Sequence, residues 1–173
     1  MDVSRHVAYT TPLAFGIGLA DPVAGCLFWA GGVLIDTDHY FDHIAINRNW
    51  SLRRAYRWHL AYAKWLVGRP CQRTLLVFHT IESLALIAMS ALVFPFLWPL
   101  FQGMLFHLFL DKVQDFRTGL PWVRAVSVFQ WLRWARDREF LAPTEEDLAV
   151  KDARARVGTF TGGPADLIHS GKD

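Results

Sequence analysis

The sequence predicts an all-α integral membrane helical bundle with about three membrane-embedded helices and basic amphipathic helices at the interface. Three observations carry that expectation. Hydrophobic residues make up 53% of 173 positions and aromatics 14%, too much apolar surface for a disordered chain. Residues 74 to 98 then run for 25 positions with Glu82 as the one acidic group, long enough for a span. Finally, residues 47 to 73 hold Arg48, Arg53, Arg54, Arg57, Lys64, Arg69 and Arg73 with no acid among them, the composition of a cytoplasmic loop.

Along the chain, residues 12 to 35 form the first embedded candidate. Asp21-Pro22 interrupts it as a natural cap and first-turn pair, so the run either crosses once or folds back there. The start lacks the charged, apolar and small-residue regions of a cleavable leader, and the first apolar segment is expected to stay in the mature chain. Residues 51 to 67 read as a basic amphipathic helix, with Leu52, Ala55, Tyr56, Ala63, Leu66 and Val67 on one face and Trp50, Trp58 and Trp65 at interfacial depth. Residues 74 to 98 are the second span and 99 to 111 a shorter third. Residues 121 to 136 repeat the basic, tryptophan-bearing pattern from Pro121 onward. The composition then turns polar, so residues 1 to 143 are expected to form the metal-binding domain and 144 to 173 a tail in which His169 has no ligand role. Cys26 and Cys71 lack metal spacing and read as free thiols.

The chemistry concentrates in few places. Between residues 22 and 136 the acidic residues are Asp36, Asp38, Asp42, Glu82, Asp111 and Asp115, and each lies in a short segment that also carries histidine. Those histidines are His39, His43, His79 and His107. On a helix Asp36, His39 and His43 step by three and four, His79 and Glu82 pair at i,i+3, and His107 and Asp111 pair at i,i+4 with Asp115 extending the stripe. An acidic residue at mid-membrane depth costs about 2.5 to 3.5 kcal/mol. A divalent ion offsets such a cost, since structural zinc contributes roughly 10 to 16 kcal/mol in small peptides. Carboxylate with imidazole is the donor set of such an ion, and the implied spans bring all three segments to the cytoplasmic face as one site. His6 and His59 fall outside that set, with His59 expected at the interface.

At Gly31-Gly32-Val33-Leu34-Ile35-Asp36-Thr37-Asp38-His39, Phe78-His79-Thr80-Ile81-Glu82 and Gly103-Met104-Leu105-Phe106-His107-Leu108-Phe109-Leu110-Asp111, the chain resembles the membrane-bound metal-dependent hydrolases of bacteria. The resemblance covers about residues 25 to 115. It departs at Ile35, where that family carries proline, and in the short His79 to Glu82 element. A looser similarity, at fold level, links it to helical zinc-dependent phospholipases C.

The resemblance implies an inner-membrane, multi-pass hydrolase whose site faces the cytoplasm and uses one or two divalent ions, zinc first, with manganese or iron as alternatives. Asp36, Asp38, His39, His79, Glu82, His107 and Asp111 are the expected ligands. Asp38 and Glu82 have catalytic roles, with Glu82 orienting or deprotonating water. Asp42, His43 and Asp115 stand behind them. Arg48, Arg53, Arg54 and Arg57 would hold an anionic phospholipid headgroup, and the substrate would be a phosphorylated lipid. Two other classes compete: a redox protein with His79 and His107 as axial haem ligands or a di-iron centre, and a structural or signalling membrane protein whose acids pair with arginines. A His-Glu-x-x-His protease is excluded by the absence of that motif, and no nucleic-acid motif accompanies the basic residues.

Overall fold

A computed structural model describes residues 3–66, 75–117, 119, 126–135 and 143–149. Their regular structure is helical, with no strand among the described residues. The helices are α1 (Val3–Gly18), α2 (Pro22–Val33), α3 (Thr37–Asn47), α4 (Leu52–Leu66), α5 (Ile81–Val93), α6 (Trp98–Arg117) and α7 (Val128–Ala135). Tight 3₁₀ turns at Leu34–Asp36, Val77–His79 and Pro95–Leu97 join several of them. Contacts divide the chain into a unit Met1–Ala142 and a unit Pro143–Asp173. The α-helical expectation therefore stands.

The membrane expectation does not. Among the described residues no helix is long and apolar enough to cross a membrane. This overturns the spanning helices and the multi-pass inner-membrane placement. Local chemistry explains why the apolar runs are cut. Asp21 caps α2, its Oδ1 accepting from the Val23 and Ala24 amides at 2.9 and 3.1 Å, and Pro22 takes the first turn, so residues 12 to 35 fold into two helices. Residues 74 to 98 lose their ends to the 3₁₀ turns around His79 and Pro95. What remains helical is the 13-residue α5, about 20 Å long against roughly 30 Å of hydrocarbon. The third candidate lies inside the 20-residue α6, whose last turns carry Asp111, Lys112, Asp115 and Arg117.

Helix α2 packs along α6 through backbone rather than side chains. A Cβ on Gly31 would stand 2.2 Å from the Leu100 carbonyl oxygen, and one on Gly103 would stand 2.1 Å from that of Phe28. Only glycine permits this approach, and it draws the C-terminal half of α2 against the first two turns of α6. On the other side of α2, Thr10 of α1 fills the space above Gly32 and donates to its carbonyl.

Helix α4 begins near Ser51 as expected, but its inward face differs. Ala55, Trp58 and Tyr62 are buried, with the Trp58 and Tyr62 rings stacked 5.0 Å apart, whereas Leu52 and Tyr56 are exposed. A stripe at positions 55, 58 and 62 packs on α3, so Trp58 belongs to the protein interior rather than to a lipid interface. Helix α7 covers only part of the expected 121 to 136. Residues 121 to 125, Val67, Cys71 and His169 lie outside the described residues.

Candidate metal centre

The ends of α2 and α3, the turn before α5, and α6 deliver the polar residues into the interior of the first unit. Asp36 closes the 3₁₀ turn after α2, and Asp38 and His39 open α3. His79 ends the turn Val77–His79, after which Thr80 caps α5 by accepting from the Ser83 amide. His107 lies one turn after Gly103 on α6, with Asp111 one turn further. Asp36, Asp38, His79, His107 and Asp111 are all buried, and His39 is nearly so, its side chain 10% exposed. An unpaired buried charge costs several kcal/mol, so these groups must answer one another.

The rings are oriented from behind. Asp38 Oδ2 accepts from His79 Nδ1 at 2.9 Å and from the Phe78 amide at 3.2 Å. His107 Nδ1 donates to the Gly32 carbonyl at 2.9 Å. With each Nδ1 committed in this way, the two Nε2 atoms stand 3.1 Å apart. Asp36 Oδ1 stands 3.3 Å from His107 Nε2, 3.4 Å from His39 Nε2 and 3.6 Å from His79 Nε2. Asp111 Oδ2 closes in at 3.5 Å from His79 Nε2 and 3.6 Å from His107 Nε2. Tetrahedral donors on bonds of about 2.0 to 2.2 Å are separated by about 3.3 to 3.6 Å. Donor atoms converging near that spacing form a cation site, so these buried His and Asp groups can hold a metal ion. Three such groups overlap: His6 with His107 and Asp111, Asp36 with His79 and His107, and Asp38 with His39 and His79.

The electrostatics agree. Burial disfavours the charged form of His79, yet Asp111, Asp36 and Asp38 outweigh it and hold its pKa well above 6.5. His107 is raised too, burial being opposed by Asp111 and Asp36. Burial also works against ionised Asp36, but hydrogen bonds from His107, His39 and His79 keep its pKa well below 3.8. Burial lowers His6 and His39. Within the three donor groups, Asp36 Oδ2, Asp38 Oδ1 and His6 Nδ1 are buried with no hydrogen-bond partner.

His6 is the residue the sequence reading left out. It is fully buried on α1, with Nε2 3.2 Å from Asp111 Oδ1 and its ring stacked on His107 at 3.7 Å. The available signal was the spacing of His6, Thr10 and Ala14, which places all three on the buried stripe of α1.

Glu82 is the opposite correction. It belongs to none of the donor groups among the described residues. Its carboxylate instead accepts from Ser127 Oγ at 2.5 Å and from the Val128 amide at 3.2 Å, capping the start of α7. The Ser127 bond foremost, with the Val128 amide helping against desolvation, lowers its pKa.

Asp42, His43 and Asp115 also fall outside the three groups. His43 is buried edge-on to Trp58, and Asp115 is buried 3.9 Å from Lys112 Nζ. His59 lies against the His39 ring at 4.3 Å. Arg48 terminates α3 in a left-handed conformation, φ 51, while Arg53, Arg54 and Arg57 are exposed on α4. The candidate site thus sits inside the first helical unit.

Fold and site together define an all-helical chain, among its described residues, with a buried His and Asp cluster able to bind metal. No family model, curated protein or solved structure matches it.

Proposed function

We propose that the protein is a metal-dependent hydrolase acting on a phosphoric ester or anhydride, with a phosphorylated lipid as the substrate class. The observation that carries this reading is the pair of Nε2 atoms of His79 and His107, 3.1 Å apart and flanked by Asp36 and Asp111. Asp36, His79 and His107 would hold metal, with His39 and Asp111 beside them. A bound zinc, manganese or iron ion would supply Lewis acidity and lower the pKa of a water from 15.7 towards about 7. The chain's own contribution is orientation: Asp38 fixes the His79 tautomer through Nδ1, and the Gly32 carbonyl does the same for His107.

The lipid class rests on two features. A groove of about 330 Å³ is lined by Ile35, Phe78 and Met104, the first two being chain neighbours of Asp36 and His79. The basic helix α4, with Arg53, Arg54 and Arg57 exposed, packs on α3 and suits an anionic headgroup. The haem reading has less support. Axial nitrogens on opposite faces of an iron would stand about 4 Å apart. Here the rings meet edge-on at 73°, with the nitrogens 3.1 Å apart. The arginine-paired structural reading is also weaker, because Asp36 and Asp38 are met by histidines.

The test is hydrolysis of phosphomonoester, phosphodiester and pyrophosphate lipids by the purified chain, before and after chelation. Metal-dependent turnover that disappears in His107→Ala supports the reading. Metal binding with no turnover of any of these esters sinks it.

A further inference from the structure

We infer that the cluster is a two-ion centre in which His6, His107 and Asp111 hold one ion, Asp38, His39 and His79 hold the other, and Asp36 bridges them. This rests on, and deepens, the metal-dependent reading above.

The argument is one of counting donors without sharing them. Of the three donor groups, the one built on Asp36, His79 and His107 borrows an imidazole from each of the others. The remaining two share no residue, and each brings its three donor atoms within 4.8 Å of one another. They are also carried by different parts of the fold. The first draws on α1 and α6, the second on the start of α3 and the turn before α5. An imidazole nitrogen has one lone pair and serves one ion, whereas a carboxylate has two oxygens and can serve two.

Asp36 is placed for that service. Its Oδ1 reaches His107 of the first group at 3.3 Å, and His39 and His79 of the second at 3.4 and 3.6 Å. Its Oδ2 is buried with no hydrogen-bond partner, a state that costs free energy unless something cationic completes it. The same holds for one carboxylate oxygen of the second triad. Asp38 Oδ2 is occupied in orienting His79, while Oδ1 is buried and open to a ligand role. His6 Nε2 stands 3.2 Å from Asp111 Oδ1, the separation of two donors on one ion, and Nδ1 is left to carry the remaining ring proton. A single ion at the Asp36, His79 and His107 group would leave Asp38 Oδ1 without an answer.

Full-length protein stripped of metal and dialysed against Mn²⁺ alone, and separately against Zn²⁺ alone, decides the stoichiometry. Two tightly bound ions per chain are expected, and the Mn²⁺ form should give a spin-coupled resonance spectrum. His6→Ala, with its fold checked by circular dichroism, should bind one ion and show the six-line spectrum of isolated Mn²⁺. If His6→Ala does not fold, the wild-type count and coupling decide alone. One ion per chain with an uncoupled spectrum overturns the two-ion centre and leaves the metal-dependent reading standing, whereas no tightly bound ion overturns both.

Discussion

The two halves of the centre are built differently. His6, His107 and Asp111 stand on regular turns of α1 and α6, where glycine-to-backbone packing against α2 and the Gly32 carbonyl fix their positions. Asp36 and His79 occupy 3₁₀ turns, and Asp38 and His39 sit on the first turn of α3, with carboxylates surrounding the His79 ring. One half is positioned by packing and the other by charge. A short turn has few backbone hydrogen bonds of its own, so its ligands depend on the partners they meet.

The largest effect should come from the charge-held half. His79→Ala leaves Asp36, Asp38 and Asp111 without the cation they share and should lower the stability of the metal-free protein by about 3 to 5 kcal/mol in urea unfolding. Amide exchange should quicken around residues 34 to 39 and 75 to 80 while the α2 and α6 core stays protected. Equal loss across both halves would erase the distinction. Next, Asp38→Asn removes a ligand charge and weakens the acceptor behind His79, and should reduce metal affinity by at least about 10- to 100-fold by equilibrium dialysis, with the fold retained.

A pH titration sharpens the contrast further. The His79 pKa is raised on folding, so in metal-free protein its contribution to stability is complete below 6.5 and is lost as pH rises through the raised value. Metal must displace that proton, so affinity should fall by about tenfold per pH unit below the raised pKa. Calorimetric binding between pH 6 and 9 checks the slope, and a pH-independent affinity would remove His79 from the ligand set. The smallest effect belongs outside both halves: Glu82→Gln should loosen the start of α7 and lower the melting temperature slightly, with metal content unchanged.

Much of the site was legible because its residues signal locally. His107 and Asp111 announce themselves by their i,i+4 spacing, and Asp36, Asp38 and His39 by their concentration in an otherwise apolar chain. His6 has no acidic neighbour at helical spacing, only the stripe it shares with Thr10 and Ala14, since its partner Asp111 lies 105 residues away. Glu82 misled for the same reason, its partner Ser127 lying 45 residues downstream. The apolar runs misled because composition measures hydrophobicity and not continuity. Asp21-Pro22 and Pro95 were visible breakers, but a span requires an unbroken helix, and these residues, with the 3₁₀ turn at His79, divide the runs below that length.

The contact of Gly31 and Gly103 with opposing carbonyls has a consequence for which ions the protein can hold. Donor bonds of about 2.1 Å for zinc and of about 2.5 Å for calcium set the ligands at different distances from the ion. Side chains can absorb such a difference by rotating, but two backbones already touching cannot close further. Through that contact the gauge of the centre is set by a pair of residues that carry no side chain, a turn away from His107 on α6 and a few residues before Asp36 on α2. A methyl group added at Gly103 would act as a shim, wedging the jaws apart and shifting preference toward the larger ion without touching a ligand.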